Sequence, residues 1–282
     1  MPGLRLGIDF GLTNTDVVLV RGGELLEHWV LHRAGPASEA LLHQALAAGN
    51  REIGELEAIA TTGGLHRTLP SEVEGVPIHK AGEVEAVGRG GLALAGLEEA
   101  LVVSAGTGTA LIAARGRQAQ HLTGSAVGGG TLLGLARLLI GTSHPLDVAH
   151  LAALGDPARV DSTLEDAIGG GIGHLPASAT AVNFGKVGSL PDPPRREDLA
   201  AGLAVMVGQV IGVITLNAAR AAGLRQVVVV GHLPDLEPVR KSILAVWEFY
   251  QAEPRPLIPP RAGAATALGA VLATADQGGS PT

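Results

Sequence analysis

A carboxylate ends the first apolar run of this sequence. The stretch Gly7-Ile8-Asp9-Phe10-Gly11-Leu12-Thr13-Asn14-Thr15-Asp16 passes from strand-forming residues into an aspartate, a glycine, and then small hydroxyl and amide side chains. Asp9 at a strand end suits a hydrated Mg2+, which takes one or two carboxylates and keeps several waters. Gly11 lets the backbone approach an anion closely, and Thr13 and Asn14 add hydrogen-bonding groups. Three further segments have the same character. Ser104-Ala105-Gly106-Thr107-Gly108-Thr109 and Gly231-His232-Leu233-Pro234 each follow an apolar run, and Gly128-Gly129-Gly130-Thr131 opens a helical pattern. The free N–H groups at a helix start favour negative charge. A single glycine turn is commonly only a turn, but four such segments together point to bound phosphates. The plain alternative is tight packing in a chain with only 2% aromatic residues.

The elements that would position these loops repeat. Residues 4–10, 16–20 and 24–31 read as three strands of an antiparallel meander, with Gly22-Gly23 as a turn. A helix over 38–48, short strands over 57–61 and 76–79, and a helix over 83–95 follow. Pro77 would confine the 76–79 strand to an edge. The pattern then begins again. Strands are expected over 100–104, 109–114 and 118–122, and helices over 131–140, 145–153, 158–168 and 197–222. The run Gln226 to Val230 has no polar alternation, as buried parallel strands show. Helices over 236–250 and 263–275 close the fold, and 276–282 reads as a frayed polar tail. A meander followed by α/β units thus occurs twice, which implies a duplicated α/β architecture with a cleft between the halves.

Composition narrows the function. The 282 residues suit two ordinary domains, and the 46% hydrophobic content allows a substantial core. A net charge of −7 without a basic run, together with few aromatics, disfavours nucleic acid as a partner. There is no Cys, so disulfides, thiolate metal sites and Cys nucleophiles are excluded. Met1-Pro2-Gly3 leads directly into a strand, without the pattern of a signal peptide. The segment 199–218 is long enough to cross a bilayer, but it carries Gln209, Asn217 and three glycines. It reads as a buried core helix, and the protein as cytoplasmic.

The order of these loops resembles the superfamily of actin, the sugar kinases and the heat-shock chaperone ATPases. More specifically, the chain resembles the type II pantothenate kinases over nearly its whole length. The segments that carry the likeness are GGGTLLGLARLLIG (128–141), LGDPARVDSTLEDAIGG (154–170), NFGK (183–186), REDLAAGLAVMVGQVIG (196–212), VVVVGHLPD (227–235) and GAATALGA (263–270). The resemblance implies duplicated actin-like (ribonuclease H-like) domains, 1–98 and 99–282, with an inter-domain nucleotide cleft. The last helix could pack back on the N-terminal domain. It implies ATP and Mg2+ as cofactors, with Asp9 at the metal. Gly11, Thr13, Asn14, Gly106, Thr107, Gly108 and Gly128 to Thr131 would line the phosphates, and Gly231 and His232 would lie near the adenosine. In EVEAVGRGG (83–91), Glu83 takes the place of the family's catalytic base. Thr107, Ala110 and His121 fall at acceptor-side positions. The family is dimeric, so a homodimer is expected.

The chain also departs from the family pattern. The phosphate-loop lysine is replaced by Asp16, and the second glycine of that loop by Leu12. Ala110 stands where the family has a serine and His121 where it has an arginine, and Glu85 and Arg89 replace an Asp and a Gln. The change from arginine to histidine loses a permanent bidentate donor. The run Thr-Asn-Thr-Asp is itself similar to the same loop in hydantoinase and oxoprolinase subunits. Asp16 therefore faces a metal, points away, or marks a site that does not bind ATP as the family does. The leading expectation is an ATP-dependent pantothenate kinase. The alternatives are a kinase of a different small hydroxylated acceptor and a non-catalytic nucleotide- or metabolite-binding paralogue.

Overall fold

The computed structural model describes residues 3–32 and 35–275; the tail expected to fray and the first two residues lie outside the described residues. The expected meander forms from β1 (Leu4–Phe10), β2 (Asn14–Arg21) and β3 (Glu24–His32). Helix α1 (Glu39–Ala48) follows, started by Ser38, whose hydroxyl accepts from the Leu41 N–H. Next come β4 (Leu56–Gly63), β5 (Glu72–Val73), β6 (Val76–Lys80) and α2 (Glu83–Ala95). The first sheet has the order β3-β2-β1-β4-β6-β5, with β1 parallel to β4 and β4 parallel to β6. Pro77 therefore does not sit on an edge strand. The two-residue β5 covers β6, pairing Glu72 with Pro77.

The second half repeats the meander with β7 (Glu99–Ala105), β8 (Thr109–Arg115) and β9 (Gln118–Ser125). Helices α3 (Gly129–Ile140) and α4 (Pro145–Leu154) follow. The expected helix over 158–168 is not one helix. A 3-10 turn at Pro157–Arg159 is followed by β10 (Ser162–Thr163) and the short α5 (Leu164–Ile168), and β10 pairs with β11 (Thr180–Val182). The cause is Asp161, which is fully buried and accepts from the Phe184 N–H at 2.8 Å and the Thr180 hydroxyl at 3.2 Å. Those donors lie some twenty residues downstream, so the chain must stop its helix to reach them. Thr163 then caps α5 through a reciprocal pair with Asp166.

Helix α6 (Arg196–Ala221), strand β12 (Val227–Val230), α7 (Glu237–Phe249) and α8 (Ala265–Ala275) complete the chain. The second sheet is β12-β7-β8-β9, with β12 parallel to β7 as its unbroken apolar run suggested. Helix α6 is long and apolar enough to cross a membrane, but 67% of its most apolar window is buried inside the fold. Leu203, Val207 and Ile211 pack with Leu101 and Val103 of β7 and Ile243 of α7.

Two helices lie between the sheets. Val87 and Leu92 of α2 pack on Val102, Ile112 and Val228 of the second sheet. Leu268 and Val271 of α8 pack on Val18 and Ala60 of the first. Each half thus contributes a helix toward the other. The two helices cross at Gly90 and Gly269, where a Cβ on either would collide with the carbonyl of Ala265 or Ala86. In a chain this poor in aromatics, bare backbone contact replaces large side chains.

Candidate active site

The first sheet presents one row of polar residues at the C-terminal end of β1. Asp9 is directly paired with Asp16 of β2 and with Thr62 of β4, so the three share a face. Burial, then the charges of Asp16 and Glu83, push the Asp9 carboxyl up to about 7, against a lowering by His232. Thr62 is fully buried and its hydroxyl has no hydrogen-bond partner. Gly63 closes the row. It has φ +87°, and a Cβ there would lie 2.5 Å from Asp9 Oδ1, so only glycine lets the chain turn against the carboxylate.

The second half brings its own loop to this row. Thr107, between β7 and β8, places its hydroxyl 2.9 Å from that of Thr13. The two strand-end loops therefore meet. Behind Thr107, the N–H groups of Gly129 and Gly130 donate to the carbonyls of Gly106 and Thr107 at 2.8 and 2.9 Å. Those two helix-start donors are spent on the loop, and a Cβ on Gly128 would lie 2.7 Å from the Thr107 carbonyl oxygen. The glycines at 128–130 thus seat α3 on the loop, the packing role weighed against phosphate binding. Thr131 turns its hydroxyl to the Ala126 carbonyl, and Asn14 pairs with His32 at 2.9 Å. Leu12, in place of glycine, is 89% exposed.

Asp16 neither points away nor stands alone. It is 5% exposed, and its Oδ1 lies 2.8 Å from His232 Nε2 and 2.9 Å from His28 Nε2. Burial pushes its carboxyl up, but the hydrogen bonds from His232 and His28 prevail and hold it below the usual value of 3.8. His232 follows β12, so this pair joins the two halves. The hydrogen bond to Asp16, then one to Asp235, raise His232 to about 10 against its burial. Gly231 has φ +94° and its N–H donates to the Ala262 carbonyl.

Of the residues expected on the acceptor side, Glu83 is the exposed first residue of α2, behind Gly82. Glu85 pairs with Arg89 at 2.8 Å, and Arg89 also donates to the Leu272 carbonyl, tying α2 to the end of α8. These two departures are thus structural. Ala110 of β8 is paired with Gly124 of β9, and the exposed His121 turns its ring toward that glycine. Sequence reasoning missed His28, Thr62, Gly63 and Asp235. The signal for two of them was present, because Thr61-Thr62-Gly63-Gly64 is a further glycine loop at a strand end. Nothing local marks His28.

Asp9 and Thr62 offer hard oxygens of the kind Mg2+ takes, but among the described residues no group of three or more His, Cys, Asp or Glu side chains is placed to hold a metal ion. Burial, ahead of the charges of Asp16 and Glu83, raises the Asp9 carboxyl, and the nearby Asp16 Oδ1 is already held by His28 and His232. Two open surface hollows lie elsewhere, one lined by His43, Arg51 and Glu74, the other by Asp156, Arg159 and Arg195, and neither includes a residue of this constellation.

The sequence model of the Fumble family matches residues 99–273, well over half the chain. The chain belongs to the Fumble family. It is 28% identical to a type II pantothenate kinase of Bacillus cereus (strain ATCC 10987 / NRS 248) over 177 residues, which is 63% of this chain and 64% of that one. The match thus spans just under two thirds of that relative's length. A type II pantothenate kinase of Oceanobacillus iheyensis is 27% identical over 278 residues, 96% of this chain and 99% of the relative. Among solved structures, the activator of the 2-hydroxyisocaproyl-CoA dehydratase from Clostridium difficile, with bound ADPNP, superimposes with a TM-score of 0.67 at 15% identity. That likeness covers 99% of this Fumble-family chain and 98% of the activator. The fold is the actin-like ATPase fold that the sequence led one to expect.

Proposed function

We propose that this protein is an ATP- and Mg2+-dependent kinase that phosphorylates pantothenate, the step that opens coenzyme A biosynthesis. The observation that carries the reading is the end-to-end similarity to the Oceanobacillus iheyensis kinase. The meeting of two strand-end loops at Thr13 and Thr107 supports it. Asp9 would hold Mg2+, which supplies neutralisation of the phosphate charge. The loops around Gly11, Thr13, Asn14, Gly106, Thr107 and Gly108 would surround the phosphates, with Gly128 to Thr131 seating α3 behind them and Gly231 and His232 on the nucleotide's other side. Glu83 would take the proton of the attacking hydroxyl, a role open to an exposed carboxylate beside the Asp9 row.

A second reading changes the acceptor. Ala110 is the strand partner of Gly124, and the His121 ring lies beside that glycine, at positions where the family pattern has a serine and an arginine. A carboxylate-bearing acceptor loses its fixed cation there. Incubating the purified chain with ATP–Mg2+ and either pantothenate or related hydroxy acids decides between the two. Phosphopantothenate detected by mass spectrometry supports the first reading. Product only from another hydroxy acid supports the second, and no ATP turnover with any acceptor refutes both.

In this reading the two domains are 1–98 and 99–282, with α8 of the second lying on the sheet of the first. The protein acts as a cytoplasmic homodimer; Val210 and Val213 on the outer side of α6 are partly exposed apolar residues available to an interface. Light scattering on the purified chain tests the dimer.

A further inference from the structure

The acidic residue at position 16 has a structural partner, His232, whose contact with the nucleotide the kinase reading leaves unspecified. His232 reaches from the second half to β2 and is held on several sides. Its Nε2 is 2.8 Å from Asp16 Oδ1 and its Nδ1 is 3.2 Å from Asp235 Oδ2. The His28 ring stacks beside it, with centroids 6.3 Å apart and planes at 20°. A Cβ on Gly263 would collide with the His232 ring. An imidazole with a carboxylate at each nitrogen donates from both and so carries both protons.

The two carboxylates differ. Asp16 is buried and shares its oxygen with His28, whereas the Asp235 side chain is 63% exposed and sits at the longer distance. An exposed ion pair of this kind is weak, and another anionic oxygen can replace it. The position also fits. Asp16 is the strand partner of Asp9, and Leu233, next to His232, lies beside Gly129 at the start of α3. His232 therefore lies close to both Asp9 and the Gly106 loop.

We propose that Asp16 orients His232 so that its Nδ1 donates to a phosphate oxygen of the bound nucleotide, with Asp235 as the exchangeable partner of that nitrogen. The inference rests on the nucleotide reading of the cleft. It gives Asp16 a positioning role in place of the repulsion that its charge alone suggests. The donor that the family pattern carries as a lysine on the first half is supplied here from the second half.

Isothermal titration of the full chain with ATP–Mg2+, and separately with adenosine, tests this. Asp16→Asn and His232→Gln should each weaken ATP binding about tenfold, the usual scale for one charge-assisted hydrogen bond. Adenosine affinity should hold, because it has no phosphate. Asp235→Ala, at an exposed position, should tighten ATP binding a few-fold by removing the competitor. Thermal melts establish that each variant is folded. A purely structural role would change both ligands together or neither, and that result overturns the proposal. ATP affinity unchanged in Asp235→Ala and in Asp16→Asn overturns it too, while leaving the nucleotide reading intact. If the wild type binds neither ligand, the nucleotide reading fails and the proposal falls with it.

Discussion

Glu83 is the residue on which the chemistry of the proposed kinase turns. Glu83→Gln keeps the shape of the side chain and removes its ability to accept a proton. Turnover should fall by ~10²–10⁴-fold, the range for loss of a general base, while ATP affinity changes little. A steady-state assay beside a binding titration checks this, and a near-normal rate would remove Glu83 from the reaction. The Asp16–His232 pair makes a second, pH-linked prediction. His232 is raised from 6.5 to about 10 in the folded chain. Its contribution to stability is therefore complete below about pH 6.5, declines as pH rises, and is gone above about 10. Asp16 is held below 3.8, so its share is present above that value and fades as pH falls through the folded range. The melting-temperature gap between wild type and His232→Gln should be widest near pH 5–6 and close toward pH 10. A gap that widens with pH would contradict the charged pair.

At the scale of elements, the crossing of α2 and α8 is the point least able to yield. Gly90 meets the Ala265 carbonyl and Gly269 meets the Ala86 carbonyl, so backbone stands on both sides. A methyl group there cannot be absorbed by a rotamer change. Overpacking of a rigid contact costs ~1–3 kcal/mol and sometimes more. At ~2–4 °C per kcal/mol for a chain of this size, Gly90→Ala should lower the melting temperature by about 5 °C or more. Gly96, at the end of α2, has no atom near its added Cβ. Its φ of +65° alone strains a substitution there, so Gly96→Ala should cost less, about 1 kcal/mol. Equal losses at the two positions would mean that the helices do not touch as described.

For the molecule as a whole, α6 decides between a core helix and a membrane span. Its buried face packs against β7 and α7, and Gly208 and Gly212 lie on Ser242 and Val246. The protein should therefore remain in solution after high-speed centrifugation without detergent. Recovery only in the membrane pellet would contradict the packing. The same packing explains how a chain with three Phe, two Trp and one Tyr fills its interior: glycine brings backbones together where other proteins use rings.

Much of this was already legible before any coordinates. Runs such as Ala100-Leu101-Val102-Val103 and Val227 to Val230 form strands because apolar, β-branched residues suit a pleated, buried surface. Glycine ended them, and α2 begins and ends at the expected residues. The glycine loops at the ends of β1, β7 and β12 were visible because a turn needs its residue types locally. The doubling of the meander, and the cleft it implies, followed from their order. The split of the expected 158–168 helix was not legible, because Asp161 is claimed by donors at 180–184. Nor was the fate of Asp16, whose partner His232 lies 216 residues away. Local sequence decides which segments become strands and helices, since propensity and periodicity act over a few residues. Which side chains meet is decided by where two strands end in space, and only the packing of α2 and α8 between the sheets brought β2 and the loop after β12 to the same point.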